Sequence, residues 1–139
     1  MRPVAIFAAA ALAAGCQTAP EHKAAAPQEK HVAKAGSDGV QRIQIVGGSY
    51  FFKPNHIVVK ANMPVEFLVR KEPGIAPHNL VINAPQAGVS VEEELANEPK
   101  KIAFTATRPG TYEFYCAKKP PFGHSHRERG MVGVLEVVR

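Results

Sequence analysis

The chain has 139 residues, with 17 Lys+Arg against 12 Asp+Glu, 12 Pro, 11 Gly, no Trp and two Cys. That length suits one domain plus a tail, and a 45% hydrophobic composition is enough to build a core. Twelve prolines argue against a helix bundle, because each removes a backbone donor and fixes φ. Two cysteines exclude a disulfide-rich scaffold and any four-thiolate zinc or iron–sulfur site.

Taken in chain order, the first segment is a leader. Arg2 and the amino terminus form a short positive region, followed by an unbroken apolar run from Val4 to Ala14. A spanning helix needs about 20 apolar residues, so this run fits a secretory signal instead. It ends in Leu12-Ala13-Ala14-Gly15-Cys16, which resembles the lipobox of bacterial lipoproteins. The resemblance implies a signal peptide over residues 1–15, removal at Gly15, and a diacylglycerol on the Cys16 thiol. Gln17 follows where an Asp would be the usual inner-membrane retention signal, so the outer membrane is favoured, with the protein facing the periplasm.

Residues 16–39 are rich in Ala, Pro, Lys and Glu and nearly devoid of large apolar side chains. Such a segment does not bury enough surface to offset its ordering entropy, and is expected to be a disordered, lipidated tether. His22 and His31 lie within it.

From Val40 the pattern becomes one of short runs separated by Gly and Pro. The predicted strands are Val40–Val46, His56–Ala61, Val65–Arg70, His78–Asn83, Lys101–Thr107, Gly110–Ala117 and Val132–Val138. Val89–Asn97 reads equally as a helical turn or an irregular crossover. Short strands punctuated by turn residues indicate an all-β sandwich or barrel spanning residues 40–139.

Alternation of side chains along a strand then sorts the chemistry. His78 shares a face with Leu80 and Ile82, and Cys116 with Tyr112 and Phe114. Met131 and Gly133 fall on the face of Leu135. One His, one Cys and one Met thus point inward from three strand ends, and His124 and His126 lie in the loop between Cys116 and Met131. Thiolate, imidazole and thioether make a soft donor set, and two His with one Cys and a weak axial Met make a mononuclear copper site. His56 takes the parity of the outer face.

Phe52-Lys53-Pro54, Pro77-His78-Asn79, Pro109-Gly110-Thr111-Tyr112, Phe114-Tyr115-Cys116 and the closing His126 to Gly130-Met131 together resemble the cupredoxin family over about residues 42–139. The resemblance implies a Greek-key β-sandwich with one mononuclear Cu(I)/Cu(II) site held by His78, Cys116, His126 and Met131. It also implies that Asn79 braces the ligand loop near the Cys116 sulfur. The loop departs from the pattern of many small members, with nine residues between Cys116 and His126. His126 is preferred over His124 because its spacing to Met131 matches the family ending.

The expected function is electron transfer outside the cytoplasm, without enzymatic turnover. Copper handling, as a chaperone, resistance or oxidase-assembly protein, is the alternative. A Cys–His hydrolase would need a base and an oxyanion site beside the Cys, typically at a helix N-terminus, and no glycine-rich elbow follows Cys116. A binuclear copper centre would need a second cysteine in the domain. Residues 40–139 carry 13 Lys+Arg and 9 Asp+Glu, and the ligand loop holds Lys118, Lys119, Arg127 and Arg129 against Glu128 alone. This predicts a positive rim that steers an acidic redox partner, such as a cytochrome or a terminal oxidase or reductase. Membrane contact would run through the N-terminal lipid, and export argues against nucleic acid.

Overall fold

The structure is a computed structural model that describes residues 28–139. The leader, the lipobox and Cys16 lie outside the described residues. The described chain forms ten strands and one 3-10 turn, Pro85–Ala87, with no α-helix among them. The strands are β1 (Lys30–Val32), β2 (Gln41–Gly48), β3 (Phe51–Lys53), β4 (His56–Lys60), β5 (Pro64–Lys71) and β6 (Asn79–Ala84). After the 3-10 turn come β7 (Val89–Glu94), β8 (Lys100–Thr105), β9 (Gly110–Tyr115) and β10 (Val132–Val138).

They build two mixed sheets, one ordered β1-β4-β10-β9-β6-β7 and one ordered β3-β2-β5-β8. The first sheet places the last strand at its centre, where β10 runs parallel to β4 and antiparallel to β9. In the second, β2 and β5 run parallel and β8 closes antiparallel on β5.

The core between the sheets follows from alternation. Along β2, Ile43 and Ile45 are buried while Arg42 and Gln44 are exposed. Along β5 the buried set is Val65, Phe67 and Val69, and along β10 it is Gly133, Leu135 and Val137. Phe52 from one sheet meets Phe114 from the other edge to face, with ring centroids 5.3 Å apart. The ambiguous segment resolves as β7, an edge strand whose Glu92, Glu93 and Glu94 are all exposed. Charges of that kind discourage further strand pairing at an open edge.

One expectation is corrected. Part of the segment read as disordered tether is folded: Lys30–Val32 is a strand parallel to β4, Ala33 is buried in the core cluster, and Ala35 bridges to Gln41. Folded structure therefore begins well before residue 40. Composition weighs side-chain burial, whereas an edge strand is recruited by main-chain hydrogen bonds, such as Ala33 N–H to the Val58 carbonyl at 2.9 Å. The same strand explains why His56 is not solvated: it is half-buried, with Nε2 2.8 Å from Glu136 Oε2. Lys30 reaches the same carboxylate at 3.3 Å.

Candidate metal centre

The three inward donors lie just outside strand ends at one end of the sandwich. His78 immediately precedes β6, Cys116 follows β9 and Met131 precedes β10. The ladder continues through them in part: Cys116 N–H donates to the Met131 carbonyl at 3.1 Å and Met131 N–H to the His126 carbonyl at 2.9 Å. His126 N–H is fixed to the Lys118 carbonyl at 2.8 Å. The ends of the ligand loop are thus tied to each other, and the His126 backbone is tied to both sides of the loop.

Cys116 Sγ lies 3.5 Å from His126 Nδ1 and 4.0 Å from His78 Nδ1, and the two ring nitrogens are 3.1 Å apart. All three residues are buried. The atoms form an acute triangle whose equidistant point lies about 2.1 Å from each, against about 2.0–2.3 Å for histidine and thiolate bonds to zinc, a metal close to copper in size. Burial lowers the basicity of both imidazoles. His126 and Lys71 add positive charge beside His78, and Arg129 does so beside His126. Both shifts favour the neutral imidazole, the form that ligates a metal. One cysteine sulfur and two imidazole nitrogens converging on one point fit copper, and these are the residues that would hold it.

Met131 is fully buried. A Cβ on Gly47 would stand 3.3 Å from its terminal methyl, so the glycine makes room for the thioether side chain. His124 stays outside the cluster, largely exposed, with Nδ1 4.0 Å from Glu128 Oε1. Asn79 acts twice. Its backbone N–H points at Cys116 Sγ at 3.5 Å, and its side-chain oxygen accepts from Ala117 N–H at 2.7 Å.

Two supports were not anticipated from the sequence. Ser125 and Glu128 form a reciprocal cap: Ser125 N–H donates to the Glu128 carboxylate at 2.7 Å, and Glu128 N–H donates to Ser125 Oγ at 3.2 Å. The Ser-x-x-Glu spacing is its signature, and it fixes the turn that carries His126. The second is Tyr50 in the β2–β3 turn, held at φ 68°, a region uncommon for residues other than Gly. Its ring meets the His126 imidazole edge-on, with centroids 5.1 Å apart. Its hydroxyl is 3.0 Å from Arg129 Nη1. No motif in the sequence points to it, because the contact is between distant segments.

The rim is less positive than the loop count implies. Lys118 pairs with Glu94 from β7, and Arg127 with Glu113 from β9 at 2.6 Å. Lys119 and Arg129 form no ion pair within 4 Å among the described residues, although Lys119 contributes to lowering the Glu128 carboxyl. Phe122 and Ile75 are 90% and 105% exposed.

Fold and donor set together define a copper-binding β-sandwich with a single copper site. Comparison with known proteins agrees: the cupredoxin-like domain family matches residues 5–130, and the chain belongs to that family. Chloroplastic plastocyanin of Oryza sativa subsp. indica is 37% identical over 98 residues, 66% of this chain and 57% of that protein. Plastocyanin of Lactuca sativa is 35% identical over 99 residues, 65% of this chain and 90% of that protein. The chain thus spans little more than half the length of the rice relative. In fold it is similar to the metal-binding domain of the Cu(I)-exporting P-type ATPase CopA of Streptococcus pneumoniae D39, solved with Cu(I). The TM-score is 0.60 at 23% identity, covering 82% of this chain and all of that one.

Proposed function

We propose that this protein is a membrane-anchored electron carrier of the periplasmic space, in which His78, Cys116, His126 and Met131 would hold one copper that would supply a one-electron couple. The observation that carries the reading is the buried triangle of donor atoms, whose separations already suit one ion. When bound, copper supplies a reversible one-electron couple, favoured as Cu(I) by sulfur donors and tolerated in both states by imidazole. The chain supplies a fixed geometry. Asn79, the Ser125–Glu128 cap and the strand-end hydrogen bonds hold the donors, so little moves when charge changes. Cys116 offers the covalent route into β9, and His126, carried by the ligand loop, the exit toward a partner.

The anchor rests on the lipobox and Cys16, and divides the chain into signal peptide, tether and domain. The partner is read as a redox protein with an acidic docking face, since Lys119 and Arg129 flank the apolar Phe122 and Ile75 at the copper end. The test is the copper-loaded mature chain. A strong thiolate-to-copper visible absorption is expected, and Cys116→Ser is expected to abolish it. An unchanged spectrum in that variant refutes the ligand set.

A second reading, copper handling, is favoured by the long ligand loop and by His124 exposed beside Glu128. The fold neighbour named above is part of a Cu(I) exporter. Copper transfer to an acceptor that outpaces electron exchange with a cytochrome would decide for it.

A further inference from the structure

The register of β1 fixes where the chain leaves the domain. Lys30 pairs with His56 on β4, and His56 pairs with Val134 on β10, all three strands running parallel. Met131 lies three residues before Val134, so Lys30 sits about 10 Å along the strand direction from the level of Met131. Two further bonds hold the residue before it at that end: His56 N–H to the Glu29 carbonyl at 3.2 Å, and Glu29 N–H to Asn55 Oδ1 at 2.7 Å. The chain then descends through Ala33 and Ala35 to the far end, where Gln41 starts β2. The segment that precedes the domain therefore enters on the copper half of the sandwich, at the sheet edge two strands from β10, not at the opposite pole.

We infer that the copper end is the face turned toward the membrane, and that the partner it fits is a redox protein held in that same membrane with acidic groups at its docking face. The inference rests on the Cys16 anchor proposed above. From Cys16 to Gln28 is twelve residues, which span at most about 40 Å in any conformation. An attachment that short, starting on the copper half, keeps this face near the bilayer and raises the local concentration of a partner in the same plane. The surface suits such a partner. Phe122 and Ile75 are fully available, and Lys119 and Arg129 form no close ion pair, while Lys118 and Arg127 are already paired.

The chain contains no Trp, so single-Trp variants report position without background. Phe122→Trp and Ile75→Trp mark the copper end, and Met63→Trp marks the far end, where Asn62 N–H bonds the Ala106 carbonyl. The lipidated chain, extracted from membranes and reduced, is placed in phosphatidylcholine vesicles carrying a dansyl headgroup lipid. Energy transfer from both copper-end reporters is expected to exceed that from position 63 by at least twofold. Equal or reversed transfer overturns the orientation. Quenching of the copper-end reporters by brominated acyl chains would show the bilayer itself covering this face, and overturns the partner. If mass analysis finds no lipid on Cys16, the anchor reading fails by itself. The orientation is then measured with the mature chain coupled through Cys16 to a maleimide headgroup lipid, Cys116 being buried, and equal transfer there refutes the geometry independently.

Discussion

Gly133→Ala is the sharpest test of how the core positions the site. Gly133 pairs with Phe114 across β10 and β9, and a Cβ at position 133 would lie 2.1 Å from Phe114 Cζ and 2.5 Å from Cε2. Carbon atoms prefer about 3.5–4.0 Å, so the ring must retreat by more than about 1 Å. It has nowhere to go, since Phe52 packs edge-on against it at 5.3 Å and both rings are buried. Overpacking of this kind costs about 1–3 kcal/mol, and with the ring buried against Phe52 we expect about 3 kcal/mol. For a domain near 100 residues that lowers Tm by about 12–24 °C. Thermal unfolding of the copper-free protein by circular dichroism reads the loss. Phe114→Leu in the same chain is expected to recover at least about 1 kcal/mol relative to the sum of the single changes, as coupled neighbours do. Because Phe114 lies two residues before Cys116, the visible band of the loaded protein should shift as well. A Gly133→Ala protein within about 0.5 kcal/mol of wild type, the scale of neutral surface changes, would refute the packing argument.

Other outcomes follow from the supports of the ligand loop and from one surface carboxylate. Asn79→Ala removes the acceptor of Ala117 N–H; a loss of about 1 kcal/mol and faster amide exchange at Ala117 are expected. Ser125→Ala breaks the reciprocal cap with Glu128, which is worth about 1 kcal/mol by chemical denaturation, with increased exchange at the Glu128 amide. Asp38 is held at about 2, below its ordinary 3.8, chiefly by its hydrogen bonds from Arg42 and then from Val40 N–H. A depressed carboxylate stabilises the fold above its unfolded value and loses that contribution as pH falls toward its folded one. Denaturant midpoints should therefore drop less steeply from pH 5 to pH 2 in Asp38→Asn than in wild type.

The strands that carry the site were legible because alternation and turn residues are local. Val132–Val138 is observed as read, and the inward parity of His78, Cys116 and Met131 needed only the register of three strands. What escaped depends on distant partners. β1 exists because β4 offers an unpaired edge, which no property of Lys30–Val32 announces. The paired cations of the rim need Glu94 and Glu113, brought in from β7 and β9. Tyr50 reaches His126 only through the fold. The Ser125-x-x-Glu128 cap was readable in principle, but its pattern normally announces a helix, and here it closes a single turn.

The position of β10 has a kinetic consequence. The last strand lies between β4 and β9, with Val134 paired to His56, so the larger sheet is not complete until the final residues are available. Such sequence-distant pairings place all-β domains among slow folders, in milliseconds to seconds. β6 and β9 pair directly, which brings His78 and Cys116 together without β10, so what the last strand adds is the anchor for the loop end that carries Met131.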